Sequence, residues 1–114
     1  MGQQWVRDQL IEYWKGCAVT KYPAVQFLVA SHIKPWRAST DNERIDKFNG
    51  ILLLPNLDKA FDLGYISFRQ NGSIRTSEFI EKPEVLGINE DMKIDVTKRH
   101  QDYLAYHREQ VFKS

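Results

Sequence analysis

Hydrophobic residues occur in short blocks along the chain, separated by polar loops and turn residues. Residues 3–15 place apolar positions among polar ones at a helical spacing, which predicts an amphipathic helix closed by Gly16. Its apolar positions are Trp5, Leu10, Ile11, Tyr13 and Trp14. Two apolar runs, 27–30 and 51–54, predict buried strands. The polar stretch 33–48 between them shows no period, so we expect a long loop of the kind that is often functional.

The second half of the chain carries clear turn and cap signals. Pro55 stops the second apolar run, and Asn56 is a good N-cap for a short helix over 57–63, with Gly64 as its C-terminal stop. The Asn-Gly pair at 71–72 lies between two alternating segments and predicts a β-hairpin. A helical pattern returns over 96–112. The order strand, loop, strand, helix, hairpin and helix predicts an α+β fold in a single domain, residues 1–114.

Composition excludes several classes of protein. A net charge of +1 removes any global polycation argument, so nucleic-acid binding would have to rest on local clusters. Cys17 is the only cysteine, which rules out an intramolecular disulfide or a cysteine-cluster zinc site and fits a reducing cytoplasm. No signal peptide is visible, and no apolar run approaches the roughly 20 residues of a membrane helix. The chain begins abruptly in a helical pattern, so it could also be one domain of a longer protein.

Polar residues stand at the junctions of the predicted central elements. His32 follows the first strand, Asn49 precedes the second, and Asp58 and Asp62 lie one turn apart on the short helix, where their carboxylates share a face. Two carboxylates opposed by a histidine could bind a divalent cation and leave an imidazole to activate water. Three cations would surround such a site, as a phosphate substrate requires: Lys34, Arg37 and Lys59. This pattern indicates a metal-assisted phosphodiesterase.

Each of these residues also has an ordinary structural interpretation. An isolated histidine such as His32 is more often hydrogen-bonded scaffold than catalyst, and the helix dipole alone explains Asp58 in a first turn. Asp62 near a helix end could be simply solvated. Asn49 before a glycine is a typical turn residue. We expect Trp36 to be a buried anchor of the loop over 33–48, which carries the basic residues. An ion pair between Arg44 and Asp46 could hold the same loop.

The segments CAVT, ASHIKPW and ERIDKFNGILLLPNLDKAFDLGYISF, in this order, resemble the HNH endonuclease family, in the subgroup with a Ser-His-Ile-Lys-Pro-Trp signature. The resemblance covers residues 17–77, and the closing YLAYHRE also looks similar to the ends of such domains. It implies the ββα-metal fold, in which two antiparallel strands and a short helix surround one divalent cation. Here the hairpin and the N- and C-terminal helices would flank that core.

Carried onto this chain, the family pattern makes His32 the general base and Asn49 the clamp of the loop between the strands. Asp58 becomes the metal ligand on the helix, and Asp62 could supply a second carboxylate. Asp58 replaces the last histidine of the pattern, and a carboxylate favours Mg²⁺ or Mn²⁺ over Ni²⁺ or Zn²⁺. Ser31 stands where many relatives have a ligand, so we expect a metal that is held tightly only once a phosphate joins it.

The zinc-binding cysteine pairs of many HNH domains are missing from this chain. Their positions read CAVT, beginning at Cys17, and LPNL, from Leu54 to Leu57, so three of four ligands are replaced. We therefore expect apolar packing of Leu54 and Leu57 near Cys17 to take the place of the metal, with the thiol acting as a small hydrophobic group.

These patterns predict an endonuclease that hydrolyses DNA, duplex DNA by resemblance, with one divalent cation. A further specificity domain or partner chain could supply sequence recognition. The alternative is a catalytically inactive HNH-fold module that binds nucleic acid, which the weakened ligand set at Ser31 and Asp58 favours. A metal-binding interaction domain with no nucleic-acid role fits the basic loop poorly.

Overall fold

A computed structural model describes residues 2–114 and the side chains of residues 7–114, so the predicted role of Trp5 lies outside the described side chains. Helix α1 (Gly2–Trp14) forms as predicted. Its end differs from the expectation, because Lys15 and not Gly16 takes the left-handed conformation, with φ of 65°. Gly16 is needed for space, since a Cβ there would lie 2.8 Å from the carbonyl oxygen of Tyr22.

Strands β1 (Val29–His32) and β2 (Gly50–Leu53) pair antiparallel, with His32 opposite Gly50. The first strand starts two residues later than predicted. A 3-10 turn over Val25–Phe27 precedes it, and Phe27 is 57% exposed. An apolar run alone does not set a strand's start, and here the shift places His32 inside the strand.

The connection between the two strands is more ordered than the predicted long loop. It contains a helix of one turn, α2 (Asp41–Arg44), flanked by 3-10 turns over Trp36–Ala38 and Lys47–Asn49. The Thr40 side chain accepts from the Glu43 backbone and the Glu43 side chain accepts from the Thr40 backbone, which forms a capping box. Reciprocal caps allow this short helix to form in a polar segment with no hydrophobic period.

Helix α3 (Pro55–Asp62) follows β2 with Pro55 at its first turn, so it begins earlier than predicted. Asn56 is therefore inside the helix and is not the N-cap; its Nδ2 donates to the Leu86 carbonyl. Gly64 ends the helix as predicted, with φ of 85°. Together, β1, β2 and α3 form the ββα arrangement that the family resemblance implies.

The predicted hairpin is confirmed. Strands β3 (Ile66–Phe68) and β4 (Ile74–Thr76) pair antiparallel around a turn in which Gly72 has φ of 93°. The last helix starts with a 3-10 turn over Lys98–His100, continues as α4 (Gln101–Tyr106), and ends in a π-helical turn over His107–Val111. The fold is α+β, as the sequence predicts.

One hydrophobic core joins these elements and brings the N-terminal helix against β2. Fully buried members include Leu10 of α1, Ile51 to Leu53 of β2, Phe61 of α3 and Leu104 of α4. The core therefore packs against the ββα unit through the buried residues of β2 and α3. None of the helices in the described part of the chain is sufficiently long and apolar to cross a membrane.

Candidate active site

His32 stands half-buried at the last position of β1, where the strand gives way to the connecting segment. Its Nε2 lies 2.8 Å from the Arg44 carbonyl oxygen. A carbonyl can only accept, so Nε2 carries a proton, and in the neutral ring the other nitrogen, Nδ1, keeps the lone pair. None of the described residues hydrogen-bonds to Nδ1. The backbone thus fixes both the tautomer and the orientation of the ring.

Asn49 joins the two ends of the β1–β2 connection from a fully buried position. Its Oδ1 accepts from the Lys34 backbone at 2.8 Å, and its Nδ2 donates to the Glu43 carbonyl at 3.1 Å and the Ser39 hydroxyl at 3.2 Å. Because Glu43 precedes Arg44, this amide also helps to hold the carbonyl that His32 uses. The geometry agrees with the predicted role of a clamp.

Lys34 is less available for phosphate than its position in the sequence suggests. Its ammonium lies 3.0 Å and 3.1 Å from the two carboxylate oxygens of Glu43, and 5.2 Å from the centre of the Tyr106 ring. This ion pair and its hydrogen bonds lower the pKa of Glu43, after the larger effect of the Thr40 backbone. Arg37 and Lys59 are exposed and remain candidates for phosphate contact.

Trp36 is not the buried anchor that we expected, since its side chain is 56% exposed. The Arg44 guanidinium lies 3.6 Å from the centre of its ring, and Arg44 Nε donates to the Trp36 carbonyl at 3.0 Å. Arg44 also pairs with Asp41 at 3.4 Å, and not with Asp46 as the sequence suggested. The tryptophan therefore stabilises the loop through a stacked cation at the surface.

Asp58 faces β1 from α3, and its environment is unusual for a carboxylate. Burial, followed by the charge of Asp62, raises its pKa, while a Ser31 hydrogen bond and the charge of Lys59 act in the opposite direction. Its Oδ1 is buried and has no hydrogen-bond partner in the described part of the chain. A buried carboxylate oxygen without a partner costs free energy unless something else binds it.

A divalent cation fits this donor set, although the protein alone does not complete a site. Among residues 7–114, no three His, Cys, Asp or Glu side chains form a group that could hold a metal ion. Mg²⁺ is commonly bound by one or two carboxylates, with waters and substrate phosphates filling the other positions. The unsatisfied Asp58 oxygen and the exposed Asp62 one turn away match that pattern.

The segment that begins at Cys17 forms a tight turn, although it lacks the cysteine pair that the family resemblance would place there. The Thr20 backbone N–H lies 3.4 Å from Cys17 Sγ, and the Lys21 N–H donates to the Cys17 carbonyl at 2.9 Å. Cys17 is fully buried in the same core as Leu57, and Leu54 packs against that core from a half-buried position. The arrangement agrees with the expectation that apolar packing replaces a metal here.

Several residues that shape the site were not identified from the sequence. The Arg44 carbonyl and the Ser39 hydroxyl are examples, because backbone acceptors and a serine in a polar loop carry no distinctive signal. The capping box at Thr40 and Glu43 could have been found, since a Thr followed three residues later by Glu is a helix-start signature. That signal would have replaced the predicted loop with a helix.

Comparisons with known proteins agree with this geometry. Residues 17–69, which include the whole ββα unit, match the model of a protein family described as HNH endonuclease. The fold is similar to a solved structure titled "Modification dependent TagI restriction endonuclease", with a TM-score of 0.62 and 19% identity over 90% of this chain. The chain spans only 36% of that enzyme. No curated protein sequence matches the chain. The architecture is thus consistent with an HNH-type fold, and the family match over residues 17–69 supports a nuclease.

Proposed function

We propose that this chain is an HNH-type endonuclease that hydrolyses phosphodiester bonds in DNA, with His32 as the general base. The observation that carries the proposal is the hydrogen bond from His32 Nε2 to the Arg44 carbonyl, which leaves Nδ1 as the basic nitrogen. The family match over residues 17–69 and the fold similarity to a restriction endonuclease support it.

In the proposed reaction, His32 Nδ1 takes a proton from a water molecule as that water's oxygen attacks phosphorus. The bond between phosphorus and the 3′ oxygen breaks, and that oxygen takes a proton from solvent water, so the products carry a 5′ phosphate and a 3′ hydroxyl. Arg44 holds the imidazole through its carbonyl, and Asn49 holds the segment that contains Arg44. Arg37 and Lys59, both exposed, would contact neighbouring phosphates.

Asp58, with Asp62 as a second carboxylate, would hold one divalent cation, and Mg²⁺ or Mn²⁺ suits these oxygen donors better than Ni²⁺ or Zn²⁺. Such an ion supplies stabilisation of the charge that develops on the phosphate and on the departing oxygen. The orphaned Oδ1 of Asp58 supports this assignment. Duplex DNA is the proposed substrate, in the cytoplasm, with sequence recognition supplied by a further domain or partner chain.

A second candidate function is an inactive module that binds nucleic acid through the same fold. The absence of a three-residue metal-binding group among residues 7–114 favours it, as does the pairing of Lys34 with Glu43. Metal dependence separates the two candidates. An inactive binder should bind DNA equally in chelator and in Mg²⁺, whereas the nuclease should turn over only with metal.

The deciding experiment is plasmid nicking with Mg²⁺, Mn²⁺, Ni²⁺, Zn²⁺ or chelator, with His32→Ala beside the wild type. We expect metal-dependent nicking that falls by about 10²- to 10⁴-fold in the variant, the usual contribution of a general base. DNA affinity and folding should be preserved, because His32 is only half-buried. Cleavage by His32→Ala at the wild-type rate would exclude His32 as the base.

A further inference from the structure

The position of His32 depends on a carbonyl in a segment that has few hydrophobic contacts of its own. Arg44, which provides that carbonyl, ends the one-turn helix α2, and the following Ile45 is 44% exposed. A one-turn helix is not stable by itself, so its geometry must be imposed by contacts from elsewhere. Asn49 supplies one such contact, on the side of Glu43.

Asp46 supplies another contact, two residues after Arg44. One of its carboxylate oxygens, Oδ1, accepts from the Phe48 backbone N–H at 3.0 Å and caps the turn that leads into β2. The other, Oδ2, accepts from the Tyr103 hydroxyl at 2.7 Å. A single carboxylate thus ties the segment after Arg44 both to its own turn and to the C-terminal helix, 57 residues away in sequence.

Helix α4 is well suited to act as the fixed side of this contact. Its Leu104 is fully buried in the core, and Tyr103 itself is half-buried against that core. Tyr106, one turn further along, places its ring under the Lys34 ammonium. Helix α4 therefore contacts the β1–β2 connection near both ends of that connection, at Lys34 and at Asp46. None of its residues belongs to the segment 17–69 that matches the family model.

We propose that Tyr103 is a positioning residue for the reaction: its hydroxyl, through Asp46, holds the backbone that fixes the His32 imidazole. The inference rests on the proposed function, since it assigns a catalytic consequence to the orientation of His32. Without the hydroxyl, Asp46 keeps its bond to Phe48 but loses its tie to α4. The Arg44 carbonyl can then shift, and the Nε2–H tautomer of His32 loses its selective stabilisation.

Tyr103→Phe tests this proposal, because it removes only the hydroxyl and keeps the packed ring. Tyr106→Phe is the matched control, since it removes a hydroxyl from the same helix and leaves the Tyr103–Asp46 bond in place. The first readout is the ring nitrogen and carbon NMR signals of His32 at fixed pH, which report the tautomer without any substrate. We expect a mixture of tautomers in Tyr103→Phe and the single Nε2–H form in the wild type and in Tyr106→Phe.

The second readout is kinetic. We expect kcat to fall by about tenfold or more in Tyr103→Phe with KM and DNA affinity unchanged, because a misplaced general base slows the chemical step but not binding. Asp46→Asn removes the charged carboxylate that accepts from Tyr103. It should lower kcat in the same way and leave KM and DNA affinity unchanged. A lower melting temperature alone, with His32 signals and kcat like those of the control, would show that Tyr103 is only structural.

These two readouts separate failure of the inference from failure of the proposed function. If the wild type cleaves no DNA in any metal, the nuclease proposal fails, while the NMR comparison still decides whether Tyr103 orders His32. If the wild type cleaves and Tyr103→Phe changes neither the tautomer nor kcat, the positioning role is wrong and the nuclease assignment stands.

Discussion

The described part of the chain contains two antiparallel strand pairs, each with a histidine on it or beside it, and the environments of the two histidines are opposite. His32 of β1 is half-buried and hydrogen-bonds through one nitrogen, to the Arg44 carbonyl. His107 packs beside β3 and is 1% exposed. Its Nδ1 lies 2.7 Å from the Ser67 hydroxyl, its Nε2 lies 2.8 Å from the Phe61 carbonyl, and its ring stacks on Phe61 at 3.8 Å.

The difference shows how the same side chain becomes scaffold or candidate catalyst. Burial lowers the pKa of His107 to about 4, so it stays neutral and links α3, β3 and the last helix. His32 is half-buried, and none of the described residues hydrogen-bonds to its Nδ1. Two oxygen-bearing side chains beside these strands differ in the same way. Asp58 Oδ1 near β1 has no hydrogen-bond partner among the described residues, whereas the Ser67 hydroxyl on β3 is bonded to His107. This open hydrogen-bonding capacity is why we propose that the active site lies at the first pair.

The largest difference in stability should separate the two single variants His107→Ala and His32→Ala. His107→Ala leaves a core cavity and strips partners from the Ser67 hydroxyl and the Phe61 carbonyl, so we expect a loss of about 4 kcal/mol in the free energy of unfolding. His32→Ala, at a half-buried site, should cost about 1 kcal/mol or less. Urea unfolding of the two variants provides the comparison, and equal losses would contradict the division drawn between the two strand pairs.

Lowering the pH should destabilise the protein through His107, which lies beside the second strand pair. The pKa of His107 is lower in the folded state than in the unfolded chain, so below about pH 6.5 the unfolded state binds the proton more readily. Stability should therefore fall as the pH drops from about 6.5 to about 4, by roughly 3 kcal/mol from this residue. Burial also lowers the pKa of His100, which adds in the same direction. Urea midpoints measured across this range test it.

His107→Gln provides the control for that pH dependence, because an amide can hydrogen-bond but does not titrate here. The variant should be less stable at neutral pH and should show a shallower loss toward pH 4. If its pH dependence matched that of the wild type, the acid sensitivity would have to come from other groups.

The contrast between the strand pairs also explains what could be predicted from the sequence. The hairpin was predictable because Asn71 and Gly72 form a local turn signal that needs no distant partner. The ββα core was predictable through its resemblance to a family. The polar contacts around His32 were not, since its hydrogen-bond acceptor is a backbone carbonyl and has no side-chain signature in sequence.

Residues were misassigned where tertiary contacts overrode local preference. Trp36 was expected to be buried, yet it lies at the surface, where the Arg44 guanidinium stacks on its ring. Asp46 was expected to pair with Arg44, its near neighbour, but it accepts instead from Tyr103 in a distant helix. Long-range partners of this kind cannot be read from spacing, because many charged and aromatic residues compete for each position.

The smallest expected effect concerns the open carboxylate of the first strand pair. The pKa of Asp58 is raised in the folded protein, chiefly by burial, so ionisation at neutral pH destabilises the fold relative to the unfolded chain. Asp58→Asn should therefore slightly raise the melting temperature of metal-free protein at pH 7. That gain should disappear as the pH falls through the raised pKa and below about 3.9, the ordinary aspartate value, where the wild-type carboxyl is protonated in both states.

At pH 7, adding metal should make the melting temperature of the wild type higher than that of Asp58→Asn. A ligand that binds only the folded state raises its stability, so Mg²⁺ or Mn²⁺ should stabilise the wild type and leave Asp58→Asn nearly unchanged. Asp62→Asn is the matched control, because Asp62 shares the helical face but is exposed. Without metal its melting temperature should change less than that of Asp58→Asn, since it removes only the repulsion between the two carboxylates. A lower melting temperature for metal-free Asp58→Asn would instead make the carboxylate a partner of the helix dipole. In that case Asp58 would stabilise α3 as the buried histidine stabilises the second strand pair, and the open oxygen would not mark a cation site.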